Sequence, residues 1–505
     1  MAKKRINPLI ATLAFVFLAA GLWTLRSWNL DIGDGEFCCK QTVGEKAFAV
    51  TLSRSFLSYA LYRILFFTLH PILDWWVEDI IALSSCAAGL VFFYALFRLA
   101  QESAENKRDF WIVLLFPSTT LLLQIFCGHV EFYPWTCALL MLCAWLSWRT
   151  IYHQKSVLWA STAMALAGGF HSSGIFYFPA LLLLPMLMHK TDGEPLRFRW
   201  DDWKPGMITL AVFLAAALLH RKPTHWAYVA LCAAGLVWYF SYCPAAKKAR
   251  MDQWVKTLLP WLVLFAVRAV LRLRAEPLLE HLPPFREPYD HGAYLYMAFS
   301  WDHLYDKVVF HLWLAPFGLI ALIGFGVFWR RIASDRWLLF LANFCIWTLV
   351  WSILFYPQLR TRDWDLFATI AIPLNLFAVY AGWRILPRGM FRWLAAATIL
   401  VHLSISLPIV LSNSSLLKGR GYVTVAYDPK PVAADAYIRG LKLGVTPIHQ
   451  NNIRSGKADV RIVPLERGYL SWSEDVILAP GKTYRFDPIL EKAGLDIHPP
   501  IPEKQ

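Results

Sequence analysis

Along this chain, long apolar runs alternate with short polar connections from residue 7 to residue 411. A helix needs roughly 17–25 mostly apolar residues to cross the hydrocarbon core of a bilayer. Runs that meet or approach that length lie at residues 7–27, 76–98, 110–127, 135–151, 157–170, 174–188, 206–220, 225–243, 254–271, 310–329, 336–356, 366–383 and 393–411. They predict a polytopic α-helical membrane protein of about thirteen transmembrane helices. Residues 48–70 are also apolar, but carry Arg54, Arg63 and several hydroxyl side chains. Beyond residue 412 the pattern changes: span-length runs stop, and apolar and polar residues alternate between Gly and Pro turns. That period of two predicts a small all-β sandwich of roughly 90 residues, enough to fold alone. The expected division is residues 1–411 and residues 412–505.

Composition strengthens the membrane reading. Apolar residues make up 57% of the 505-residue chain and charged residues 17%, against about 25% charged in soluble domains. The net charge of +14 raises nucleic acid as a partner, but its distribution argues against that. Lys and Arg fall in short clusters between apolar runs, in MAKKR, QESAENKRD, RFRWDDWK, KKARMDQ, RRIASDR and RILPRGMFR. Such clusters mark cytoplasmic loops facing anionic headgroups. Parity then decides the ambiguous stretch: if residues 48–70 lie along the surface as an amphipathic helix, every basic loop falls on one side. The N-terminus is then cytoplasmic and the C-terminal domain periplasmic or extracytoplasmic, in a multi-pass protein of the plasma (inner) membrane. The N-terminal run lacks a small-x-small cleavage site and reads as a retained first span. The nine cysteines show no disulfide or metal-ligand spacing.

Five segments left on the outward side carry unusual chemistry: DIGDGE (31–36), GHVEFYPW (128–135), HSSG (171–174), the long connection 272–292, and QLRTRDWD (358–365). Group transfer at a membrane surface needs a carboxylate to deprotonate the acceptor and positive charge to hold a departing phosphate. Asp34 and Glu36 stand two residues apart across Gly35; by itself an Asp-x-Glu is usually loop solvation, and Asp31 reads as loop. His129 and Glu131 sit at a short break, where the plain alternative is a polar turn. Arg360, Arg362, Asp363 and Asp365 surround Trp364; arginines suit bidentate phosphate binding, while an interfacial Trp with neighbouring charges is the plain reading. A lone His171 is more often structural. Arg268, Arg272 and Arg274 line one end of a span, suited to a lipid phosphate, and Asp290 and His291 are weaker candidates. No Walker loop, dinucleotide fingerprint or H-E-x-x-H occurs.

On these motifs (an early span followed by D-I-G-D-G-E, a surface helix, many spans, then H-V-E and R-D-W-D), residues 1–411 resemble the GT-C superfamily of integral-membrane glycosyltransferases. That resemblance implies a sugar donor on polyprenyl phosphate, inversion at the anomeric carbon, and a catalytic acid in the first outer loop. Carried onto this chain, it makes Asp34 the base and Glu36 its alternate. From the residues themselves, substrate contacts are expected from His129, Glu131, His171, Arg268, Arg272, Arg360, Arg362, Asp363 and Asp365. If a divalent cation such as Mg or Mn is used, Asp34, Glu36 and Glu131 are its expected ligands. Residues 421–490 resemble a PEGA-type domain through G-V-T-P (444–447), R-G-Y (467–469) and V-I-L-A-P-G (476–481), although the P-E-G-A tetrapeptide itself is replaced by K-P-V-A-A-D.

The sequence therefore leads us to expect transfer of a lipid-linked sugar to an envelope glycan, lipid or protein, at the outer face of the membrane and without nucleic acid. The rivals are a lipid or solute transporter or flippase, and a non-catalytic envelope scaffold. Transport sites lie near the bilayer midplane, whereas these acids lie at span ends. Deleting residues 415–505 is expected to abolish a scaffold's function and to leave an enzyme's transfer to a soluble acceptor analogue intact.

Overall fold

A computed structural model describes residues 8–28, 35–44, 55–190, 192–193, 200–219, 245–279, 300–354, 360–417 and 420–492. The chain opens with α1 (Pro8–Thr24), α2 (Gly35–Val43), α3 (Phe56–Leu73), α4 (Val77–Ser103), α5 (Lys107–Ser118), α6 (Leu122–Phe126), α7 (Pro134–His153) and α8 (Val157–Phe170). Ala- and Leu-rich composition favours these helices. Their ends carry specific signals: the Asn106 side chain accepts from the amides of Arg108 and Asp109 at the start of α5, and Pro134 opens α7.

Among the described residues, six helices are long and apolar enough to cross a membrane, by length and composition: Phe56–Leu73, Val77–Ser103, Asp252–Leu271, Arg336–Ile353, Trp364–Ile385 and Arg388–Asn413. The expected count of about thirteen is not reproduced, and proline explains part of the difference. Residues 110–127 break into α5 and α6 just after Pro117. Residues 174–188 form a 3-10 turn (Ser172–Tyr177) and two short helices that start at or beside Pro179 and Pro185. Each proline removes a backbone donor and disfavours a continuous helix. Residues 225–243 lie outside the described residues.

The 27 residues of α4 extend about 40 Å, and they separate two chemically different ends. At the far end, ion pairs join the basic segments: Arg392–Asp109 at 3.4 Å, Arg388–Glu105 at 2.7 Å, Arg384–Asp335 at 3.3 Å and Arg336–Asp192 at 3.1 Å. At the near end the chain leaves α1, enters α4, passes residues 127–133 and finishes the Arg388–Asn413 helix. Backbone bonds knit these points together: Ser27 N donates to Cys127 O at 2.7 Å, and Trp28 N to Asn413 O at 2.8 Å. Both ends of α3 stay here too. Ser58 donates to the carbonyls of Phe132 and Phe170, and the carbonyl of Asp74 accepts from Asn452.

A C-terminal β-domain packs on this near end. It contains β1 (Tyr422–Tyr427), β2 (Ala434–Ile438), β3 (Leu441–Val445), β4 (Ile448–Arg454), β5 (Gly456–Pro464), β6 (Trp472–Leu478) and β7 (Thr483–Phe486). They form a three-stranded sheet, β4-β1-β7, and a four-stranded sheet, β3-β2-β5-β6. Strict inward and outward alternation along β1 and β2 lets both sheets bury apolar side chains in one core. The β2–β3 turn places Arg439 and Gly440 at φ 48° and 70°, as a tight hairpin turn requires. That core is continuous with Cys38 and Cys39 of α2, Tyr62 and Phe66 of α3, Ile80 and Ile81 of α4, and with Val130 and Phe132.

Candidate functional site

After α6, Gly128 turns the chain at φ +54°, where a Cβ would lie 2.5 Å from Cβ of Arg26 and 3.2 Å from Cβ of Ala82. Glycine alone fits both the left-handed backbone and the close approach. Gly128→Ala is expected to lower unfolding free energy by about 1–3 kcal/mol, read as an earlier melting transition of the purified protein; an unchanged transition would show that the turn relaxes freely.

The next four residues, His129 to Phe132, are buried, and three of their carbonyls are held by hydroxyls from two helices. Ser85 of α4 donates to His129 O at 2.6 Å, Tyr62 of α3 to Glu131 O at 2.6 Å, and Ser58 to Phe132 O at 3.2 Å. Satisfying these carbonyls offsets the cost of burying irregular backbone. Val130 and Phe132 join the apolar cluster, and Phe132 stacks on Tyr62 with centroids 6.3 Å apart.

From the opposite side, the 3-10 segment Arg360–Ile370 delivers Asp365. Asp365 Oδ2 lies 3.1 Å from His129 Nε2, while its Oδ1 accepts from the amide of Leu366 at 2.8 Å. The ring of Trp364 is tilted against His129 at 5.9 Å. One ligand atom each from His129, Glu131 and Asp365 falls within 4.8 Å of the others, and the three side chains are 1%, 0% and 1% exposed. Two carboxylates at that depth demand positive charge nearby. A divalent cation with N and O ligands at about 2.0–2.2 Å brings its donor atoms within about 4.4 Å of one another, close to the spacing found here. Mixed imidazole and carboxylate donors suit Mn or Zn better than Mg. His129 Nδ1 has no hydrogen-bond partner among the described residues.

The other sequence candidates are placed differently. Glu36 lies in the first turn of α2, about half exposed, with its carboxylate 2.6 Å from Lys40 Nζ; it is not one of the three grouped residues. Its expected partner Glu131 is grouped instead with His129 and Asp365. His171 caps the Ser172–Tyr177 turn, its Nδ1 accepting from Ser173 N at 3.3 Å and lying 2.9 Å from Ser173 Oγ, and its ring meets Tyr133 edge to face at 4.7 Å. Arg268 is partly buried on the Ala245–Leu279 helix. Asp31, Asp34, Asp290 and His291, and the side chains of Arg272, Arg274, Arg360, Arg362 and Asp363, lie outside the described residues.

Sequence reasoning missed Glu78 and Asp79, adjacent acids at the head of α4, and their partners Arg439 and Arg454 on the β-domain. Glu78 pairs with Arg439 at 3.3 Å and Asp79 with Arg454 at 2.9 Å. Two neighbouring acids opening an apolar run were the available signal.

The sequence matches no protein-family model and no curated protein. Among solved structures, the chain is similar to a crystal structure of the Archaeoglobus fulgidus oligosaccharyltransferase in complex with Zn and sulfate, at 12% sequence identity and a TM-score of 0.41. The likeness covers 81% of this chain and 54% of that one, so this chain spans about half the length of the structure it matches.

Proposed function

We propose that this chain is a membrane glycosyltransferase that moves a sugar from a polyprenyl-phosphate donor to an envelope glycan, lipid or protein at the outer face of the plasma membrane. In this reading residues 1–411 carry the reaction, and the near end, with the β-domain of residues 412–505, faces outward. The observation that carries it is the buried meeting of His129, Glu131 and Asp365, drawn from two of the outward segments, at one end of membrane-length helices.

Asp34 would take the proton of the acceptor hydroxyl as that oxygen attacks the anomeric carbon. The bond from the anomeric carbon to the phosphate oxygen breaks, the configuration inverts, and polyprenyl phosphate departs with the bonding electrons. His129, Glu131 and Asp365 would hold a divalent cation, which supplies positive charge beside the departing phosphate. Arg360, Arg362, Arg268 and Arg272 would add cationic contacts to that phosphate. Asp363 and His171 would orient the sugar, with Glu36 as the alternate acid.

Transfer of labelled sugar from polyprenyl phosphate in membranes, comparing wild type with Asp34→Asn, tests this reading. A loss of about 10²–10⁴-fold is expected, as for removal of a general base. Unchanged transfer would remove Asp34 from the mechanism, and no wild-type transfer from any lipid-linked donor would favour transport.

A further inference from the structure

Arg454 ends β4 and is 1% exposed, yet its guanidinium hydrogen-bonds to residues outside its own domain. Its Nη1 donates to the carbonyls of Ser27 at 3.0 Å and Trp28 at 3.4 Å, its Nη2 to Asp79 Oδ1 at 2.9 Å, and its guanidinium lies 5.1 Å from the centroid of the Trp28 ring. Burial opposes its charge, but Asp79 and Glu78 more than offset this and keep its pKa above the ordinary arginine value. Trp28 is fixed three more ways: its amide donates to Asn413 O, its indole Nε1 to Ser455 O at 3.3 Å, and its ring meets Tyr422 edge to face.

Helix α2 is held by the same domain. At the β2–β3 turn, a Cβ on Gly440 would come within 2.5 Å of Cε of Lys40, the residue that pairs with Glu36 on α2. Beside it, Arg439 ties three places together: Glu78 Oε1 at 3.3 Å, Arg454 O at 2.8 Å and Lys457 O at 3.1 Å. Arg26, just beyond α1, adds a link, 3.5 Å from Asp79 Oδ1 and donating to Tyr422 OH at 2.9 Å. A domain that merely docked on the membrane region would need apolar contact. Beyond that shared apolar core, a guanidinium reaches the carbonyls of Ser27 and Trp28 and the first turn of α4. That helix also carries Ser85, which holds the carbonyl of His129.

We propose that the β-domain, through Arg454 and the β2–β3 turn, fixes residues 27–28, α2 and the head of α4 relative to one another, making Arg454 a positioning residue for the transfer reaction. The inference about transfer rests on the function proposed above; the holding role does not.

Two measurements on the full chain separate these parts. The first is hydrogen exchange over residues 26–28 and 35–44, with maleimide labelling of Cys38 and Cys39 mapped by peptide. Both thiols are buried, and burial pushes that of Cys39 well above its usual pKa, so the wild-type pair should resist labelling. In Arg454→Gln, exchange in both segments is expected to rise about tenfold and the thiols to label, while residues 134–153 keep wild-type protection. The second is transfer. In Arg454→Gln, kcat is expected to fall about 10–100-fold per folded molecule with KM for the donor within about twofold. Arg454→Lys, which keeps the charge without the fork, should fold and fall between the two. It carries the test if the glutamine variant does not fold.

Wild-type exchange and labelling in both variants would overturn the holding role. Loosened segments with unchanged kcat would overturn the positioning role. If the wild type itself transfers no sugar, the proposed function and the positioning role both fall, while the exchange result still decides whether the β-domain holds these segments.

Discussion

Glu131→Gln is expected to lower sugar transfer by about 10²–10³-fold, the scale seen when one preorganised charge is removed from a reacting centre. The substitution keeps the shape of the side chain, and the backbone around it is held independently: Tyr62 bonds the Glu131 carbonyl rather than its carboxylate. What is lost is one negative charge among three ligand-capable groups that lie within 4.8 Å of one another. Calorimetric titration with Mn²⁺ and Zn²⁺ supplies a readout independent of activity. The wild type should bind one ion per chain, and Glu131→Gln and Asp365→Asn should each bind it at least about tenfold more weakly. No binding by the wild type would remove the cation from the account and leave His129 and Asp365 as a hydrogen-bonded pair at 3.1 Å. Activity of Glu131→Gln would then report electrostatics alone.

Removal of residues 415–505 is expected to abolish transfer, even to a soluble acceptor analogue. This reverses what the sequence led us to expect, and the reason lies at the interface. Glu78 and Asp79 are buried against Arg439 and Arg454. Deleting the arginines leaves two carboxylates at the head of α4 without those partners, and breaking one such buried pair costs about 3–5 kcal/mol. The same cut opens the apolar cluster that joins Trp76, Ile80, Val130 and Phe132 to the β-domain core. Purified truncated protein should melt earlier than the full chain and elute as aggregate. A truncated chain that stays monodisperse and transfers sugar would show that the helical part is self-sufficient.

The sequence exposed the chemistry of this molecule more readily than its geometry. Polar residues that interrupt apolar runs are conspicuous, so His129, Glu131 and Asp365 stood out. Their meeting did not, because it depends on segments 236 positions apart and on the 3-10 geometry of Arg360–Ile370, which brings Asp365 to His129. His171 carries the same residue type in a similar break and also caps a turn through Ser173, a local contact that composition does not reveal. Hydropathy counted residues 110–127 and 174–188 as spans because it registers apolar content and not the missing amide of Pro117, Pro179 or Pro185. The alternation beyond residue 412 announced strands, but the buried arginine that joins them to the head of α4 looked like any other polar end of a strand.

The measurement closest to the central claim is transfer from radiolabelled polyprenyl-phosphate sugar in membranes containing the wild-type chain, against membranes lacking it. The account predicts a labelled acceptor formed in step with released polyprenyl phosphate, and loss of both in Asp34→Asn and Glu131→Gln. Donor that crosses the membrane unchanged, with no labelled acceptor from any lipid-linked sugar, would contradict it.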